Sequence, residues 1–249
     1  MSHTPRDRRE PGRHGRPGAV PPVPGRPATL TPPPGSGASH RRRPLLVSAC
    51  GLCALVLLLG TWQVLVKGAL VGRDEELGAA VRRAAPPRMP AEALADLGNP
   101  EVALPLLAAA MVLSLLRSRG RRWWPVVCYG AAVALMVPLV LGLKMWTDRA
   151  GPSGGGGFYP SGHAATTAAV CGGALLVLSG GLSPAARRAA GTLVVALVVG
   201  NGLGLVWRGY HWPLDVLAGW CLSVLLLCGA FVAAHRPGLG ARLPRSGGP

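Results

Sequence analysis

Apolar residues in this chain do not recur at the spacing of a soluble helix or strand; they gather into long runs that carry almost no charge. Six runs stand out: Leu45 to Val66, Val102 to Leu116, Trp124 to Leu143, Ala164 to Leu178, Leu193 to Trp207 and Val216 to Ala234. A helix needs roughly 20 apolar residues to cross a bilayer, with about 17 as the usual lower limit. The second, fourth and fifth runs are short by that measure and need flanking small or polar residues to complete a crossing. The pattern predicts an all-α, polytopic membrane protein with about six transmembrane helices, five being the competing count. It also divides the chain into a Pro/Gly-rich basic tail (1–43), a membrane-embedded domain (44–235) and a short second tail (236–249). The first tail has too few apolar residues to bury a core and is expected to be disordered.

Charge gives the runs a direction. The formal net charge is +16, and nine arginines fall within the first 43 residues. Four more occupy the short segment Arg117 to Arg122, Arg187 and Arg188 lie in the next-but-one turn, and Arg236, Arg242 and Arg245 follow the last run. With six alternating spans all four clusters fall on one side, as the positive-inside rule requires. The longest opposite segment, Lys67 to Glu101, holds five basic and six acidic residues and is nearly neutral. Both termini are therefore expected in the cytoplasm of a cell-membrane protein. The basic excess reads as topology, with weak attraction to anionic lipid, and nucleic-acid binding is not expected.

No signal peptide is evident, since the first run follows Arg41-Arg42-Arg43 and is too long for a cleaved apolar core. It is expected to stay as an anchor. All six cysteines fall within apolar runs, where a thiol behaves as a small hydrophobe. Neither zinc nor a disulfide framework is supported. Asp74 to Ala85 can form a short amphipathic helix in the outward segment, broken by Pro86-Pro87 and Pro90. In the fifth run Gly200 and Gly204 favour close helix packing in lipid, and Asn201 reads as an interhelical hydrogen-bond former.

On this topology the outward segments are 67–101, 144–163 and 208–215, and the last two carry every candidate for chemistry. His163 closes Pro160-Ser161-Gly162-His163. Ser161 is a strong N-cap type at the mouth of an apolar run. The first N–H groups of the following helix are unpaired within it, and such an end binds phosphate through backbone donors and the helix dipole. Gly162 allows close approach to that backbone. His211 and Asp215 stand four apart, with Pro213 suited to a first helical turn. That spacing lets a carboxylate hold one imidazole nitrogen and leave the other as nucleophile. After Glu101 the chain has only two acids, Asp148 and Asp215, so an acid beside the outward histidine is conspicuous. Lys144 ends the third run, and Arg149 and Arg208 flank the same outward region as further cations for a phosphate.

Lys144 to Pro152, Tyr159-Pro160-Ser161-Gly162-His163, and His211-Trp212-Pro213-Leu214-Asp215 with Val216 to Trp220 resemble the three signatures of the type 2 phosphatidic acid phosphatase family. The resemblance spans about residues 45–235. It implies an integral-membrane lipid phosphatase sharing its helical core with vanadium haloperoxidases, with no metal and no cofactor. It further implies that His211 attacks phosphorus while Asp215 holds its ring. His163 would protonate the departing oxygen and then activate water, a general acid–base role. Lys144, Ser161 and the Gly162 backbone would hold the phosphate oxygens. The substrate class implied is a lipid phosphate or diphosphate at the outer leaflet, a polyprenyl diphosphate carrier or a phosphatidic-acid-type lipid. A composition heavy in Ala, Arg and Gly points to a bacterium with GC-rich DNA and tilts the choice toward the polyprenyl carrier.

Two departures separate this chain from that family. An arginine normally seven residues after the lysine is Gly151 here, and a Ser-Arg pair ending six residues before the nucleophilic histidine is Gly204-Leu205. Arg208 lies about 4.5 Å along a helix from Leu205 and some 60° around it, and Arg149 is displaced by up to roughly 7 Å. These two are the expected replacements. The alternative is a catalytically weak or inactive family member that binds lipid phosphate.

Overall fold

The computed structural model describes residues 36–84 and 87–236. Residues 1–35 of the expected disordered tail and 237–249 of the second tail lie outside the described residues; residues 36–43 form the start of the first helix. The order is α1 (Ser36–Leu65), α2 (Ala69–Arg83), α3 (Arg88–Asp96), α4 (Pro100–Arg117), α5 (Trp123–Thr147), α6 (Gly162–Leu178), a short 3-10 turn at Ser179–Gly181, α7 (Pro184–Trp207) and α8 (Pro213–Ala234). No strand occurs among the described residues. Six helices are long and apolar enough to span a membrane, α1 counting from Pro44 and α6 running on through Gly181. The short runs are completed as the sequence requires. Pro100 starts α4 at its first turn, and α7 begins at Pro184 behind the Ser183 cap, whose hydroxyl accepts from Ala186 N at 3.2 Å.

The core gathers around α6. Ala165, Ala169 and Val170 of α6 pack with Ala103 and Leu107 of α4, Val133, Met136 and Val140 of α5, and Leu222 of α8. Lipid cannot satisfy a polar group, so the few polar side chains here bridge helices. Ser223 Oγ of α8 lies 2.8 Å from the Ala165 carbonyl. Asn201 of α7 donates to the Leu94 and Ala95 carbonyls at the end of α3, 2.9 Å each, the interhelical role its sequence position predicts. Glycines set the closest approaches. A methyl group at Gly219 would lie 2.6 Å from the Ser161 carbonyl, and one at Gly204 would lie 2.7 Å from the Ala91 carbonyl. The flanks, by contrast, expose large apolar side chains such as Leu58, Leu116, Val195 and Val232, as a lipid-facing surface should. All six cysteines are free.

The segment between α1 and α4 is mostly helical. α2 takes the amphipathic stretch the sequence marks, though it starts earlier, at Ala69, and α3 begins at Arg88. α2 lies against α7 and α8, and α3 lies along α7. Gly78 of α2 abuts the Trp212 ring and Arg82 abuts Gly209, so α2 covers the segment that joins α7 to α8.

Candidate active site

α6 starts as its sequence predicts. Ser161 is the N-cap and its hydroxyl accepts from Ala164 N at 3.3 Å. The Gly162 and His163 amides occupy the first two helical positions, which have no partner inside the helix. A Cβ on Gly162 would meet nothing nearer than Val140 at 3.7 Å, so the backbone there is approachable. The His163 side chain is exposed, with its Nε2 2.8 Å from Asn99 Oδ1.

α8 starts at Pro213 with Asp215 as its third residue. Asp215 Oδ2 accepts from the Trp212 amide at 3.0 Å and lies 3.4 Å from His211 Nδ1. The first is an ordinary hydrogen bond; the second is long for one. Asp215 is fully buried and His211 nearly so. The two helix starts are tied directly: Ser161 N donates to the Asp215 carbonyl at 2.9 Å. That bond, with the Gly219 contact, brings His163 and His211 to one end of the bundle.

The path into α8 is set by the end of α7. Gly209 takes a left-handed conformation (φ 70°) and closes the helix with Gly209 N to Val206 O at 3.0 Å and Tyr210 N to Leu205 O at 2.9 Å. These are the two bonds of a Schellman cap. They leave only Tyr210 between the cap and His211.

Each cation near the site already has a partner. Lys144 Nζ donates to the Gly157 carbonyl at 2.6 Å. Arg149 is buried; its Nη1 donates to Asp215 Oδ1 at 2.6 Å and its Nη2 to Asp74 Oδ2 at 2.7 Å. Arg208 lies 3.5 Å from Glu92 and over the Tyr210 ring. So Arg149, expected on the phosphate, has both outer nitrogens on carboxylates, and Arg208 faces an acid of α3. The two positions where the family carries arginine are filled otherwise. A side chain on Gly151 would run into the Phe158 ring, and Leu205 sits in an apolar cluster with Ala95, Ala164, Val206 and Val216.

Four residues between α1 and α4 that the sequence did not mark as site candidates belong to this neighbourhood. Asp74 also accepts the Leu214 amide at 2.7 Å. Burial pushes its carboxyl above the ordinary range, against the pull of Arg149 and that amide. Asn99 meets His163, and Glu92 meets Arg208. Arg82 stacks its guanidinium 4.7 Å from the Trp212 ring centre, a cation–π contact. The available signal was weak: an inward-facing acid on an amphipathic helix looks like any solvated charge until its neighbours are known. Tyr159 is wholly buried, its hydroxyl 3.1 Å from Thr61 Oγ1, and burial raises it to about 12.

Beside Lys144 and His163 opens a cavity of about 270 Å³, walled chiefly by Pro100, Met136, Val137, Val140 and Leu141. One end is thus cationic and the rest apolar. No group of three His, Cys, Asp or Glu side chains suited to a metal occurs among the described residues.

Residues 139–238 match the PAP2 superfamily. The fold is similar to the crystal structure of a transmembrane PAP2-type phosphatidylglycerolphosphate phosphatase from Bacillus subtilis. That likeness has a TM-score of 0.64 at 21% identity and covers 76% of this chain and 98% of the other. No curated protein matches the sequence.

Proposed function

We propose that the chain, whose residues 139–238 match the PAP2 superfamily and whose six long apolar helices suit a membrane, is a phosphatase of the type 2 phosphatidic acid phosphatase kind that removes phosphate from a lipid phosphate or diphosphate at the outer leaflet. In this reading His211 Nε2 attacks phosphorus as the bond from phosphorus to the lipid oxygen breaks. Asp215 holds the Nδ1–H. His163 gives a proton to the leaving oxygen, then takes one from the water that attacks the phosphohistidine, so that phosphate leaves and both imidazoles return to their starting state. Lys144, the Gly162 amide and Ser161 face the developing charge, with Arg208 joining once it leaves Glu92. A phosphate role for Arg149 would require one of its two carboxylate pairs to open.

The observation that carries this reading is the Ser161–Asp215 backbone bond, which joins an open helix N-terminus to the His211–Asp215 pair. The apolar cavity beside Lys144 and His163 favours a lipid over a soluble ester. A polyprenyl diphosphate, a phosphatidic-acid-type lipid and phosphatidylglycerolphosphate, the substrate named for the Bacillus protein, all have a head and tail of that kind.

The second reading, a lipid-phosphate binder with little or no turnover, is favoured by one feature: Lys144, Arg149 and Arg208 each already have a partner. The two are separated by phosphate release from purified protein in nanodiscs, with His211→Ala as control. Release by the wild type alone, with an acid-labile phosphoenzyme, is expected. Saturable lipid-phosphate binding without release would decide for the binder.

A further inference from the structure

We infer that Asp74 is a positioning residue for the proposed phosphatase reaction: it holds Arg149 so that Asp215 keeps one oxygen for His211. The role rests on that reading of the site, but its geometry can be read without turnover.

α2 carries the run Arg73-Asp74-Glu75-Glu76, and only Asp74 of the four is buried. One turn further on, Gly78 lies so close to Trp212 that a Cβ there would come 2.7 Å from the indole ring. One face of α2 is therefore seated on the start of α8. A carboxylate buried there is costly unless paired and hydrogen-bonded. Asp74 is both: Oδ1 takes the Leu214 amide and Oδ2 takes Arg149 Nη2. The Leu214 amide is one of the orphan donors of the α8 N-terminus, so Asp74 also fixes the turn on which Asp215 rides.

The consequence for His211 comes from the shape of arginine. A guanidinium and one carboxylate prefer the bidentate arrangement, two parallel N–H to O bonds. With Asp215 as its only partner, Arg149 would take both carboxylate oxygens. It would then compete for Oδ2 with the Trp212 amide and with His211 Nδ1, which at 3.4 Å is the weaker claimant. Asp74 occupies the second edge of the fork and confines Arg149 to Oδ1. Asp74 thus acts through Arg149 on Asp215, and through Asp215 on the nucleophile's ring.

Asp74→Asn is the informative change. The amide oxygen can still accept from Leu214, but the charge that holds Arg149 is gone. The full chain, with 15N-labelled histidine, would be studied in lipid nanodiscs, the His211 ring signals being identified by their loss in His211→Gln. In Asp74→Asn these signals are expected to move toward those of Asp215→Asn, while kcat falls about tenfold and KM stays within about twofold. Glu75→Gln is the control. It removes a half-exposed acid 4.0 Å from Arg149 and should leave both readouts unchanged. Wild-type ring signals in folded Asp74→Asn protein would overturn the inference, as would a rise in KM at constant kcat. Should Asp74→Asn not fold, Arg149→Lys keeps the cation without the fork, and unchanged ring signals there overturn the inference equally. If the wild type releases no phosphate from any lipid phosphate yet the ring signals move, the phosphatase reading falls and the positioning role stands.

Discussion

Arg208 caps α7 and turns to Glu92 instead of standing free, yet the 3.5 Å separation and partial exposure of both side chains make that pair weak. A phosphate can therefore compete for it. Hydrogen bonds to charged groups contribute about 1.5–3 kcal/mol, so Arg208→Ala should lower kcat/KM roughly ten- to hundred-fold. A silent Arg208→Ala in an active enzyme would remove Arg208 from the phosphate site. Restoring the family's arginine is a different matter. Leu205 is 1% exposed within an apolar cluster, and an uncompensated buried charge costs roughly 3–5 kcal/mol. Leu205→Arg should therefore unfold at markedly lower denaturant without gaining activity; undiminished stability with higher turnover would show that the cluster opens toward the phosphate. At this scale the sequence disclosed the Ser161 cap and the His211–Asp215 contact, because both depend on local spacing at a helix start. It could not disclose Asp74 or Asn99, whose partners within the site lie 64 or more positions away along the chain. Nor could the offset from Leu205 to Arg208 reveal the pull of Glu92.

Among the elements, α6 and α8 form the pair on which the site depends. Their starts share the Ser161–Asp215 bond, and at Gly219 the two backbones leave no room for a Cβ. A methyl group there meets the Ser161 carbonyl and the Ala165 amide, neither of which can rotate away. Overpacking of this kind costs about 1–3 kcal/mol, so Gly219→Ala should lower the unfolding free energy by that much and reduce kcat by lengthening the Ser161–Asp215 bond. Full activity in Gly219→Ala would mean that the helices can part without disturbing the histidines. The six spans were legible as elements because a bilayer demands long apolar runs. α3 was not, since it is only nine residues long and Pro90, which sits in its first turn, reads from sequence as a breaker, and its place is fixed by Asn201 and Gly204 of α7.

For the molecule as a whole, the arginine clusters predict an orientation. A reporter active only outside the cytoplasm should score when fused at Gly155 and fail at Gly120 or Ser183, because the membrane sides of these turns alternate. A signal at Gly120 would put the histidines on the inner face and withdraw the outer-leaflet substrate. The six-helix membrane architecture was readable from hydropathy. What escaped was the share of the segment between α1 and α4, which looks like a nearly neutral connection because its charges almost balance. In the folded chain that segment is anchored to the site by Asp74 on the Leu214 amide and Arg149, Asn99 on His163, Glu92 on Arg208 and Arg82 on the Trp212 ring. For protein engineering this means that residues 67–99 are not an exchangeable cassette. A loop grafted from a relative to change lipid preference would carry away the counterion of Arg149 and the partner of His163. Such a chimera would have to import those two side chains with the new loop, or lose turnover before its specificity could be measured.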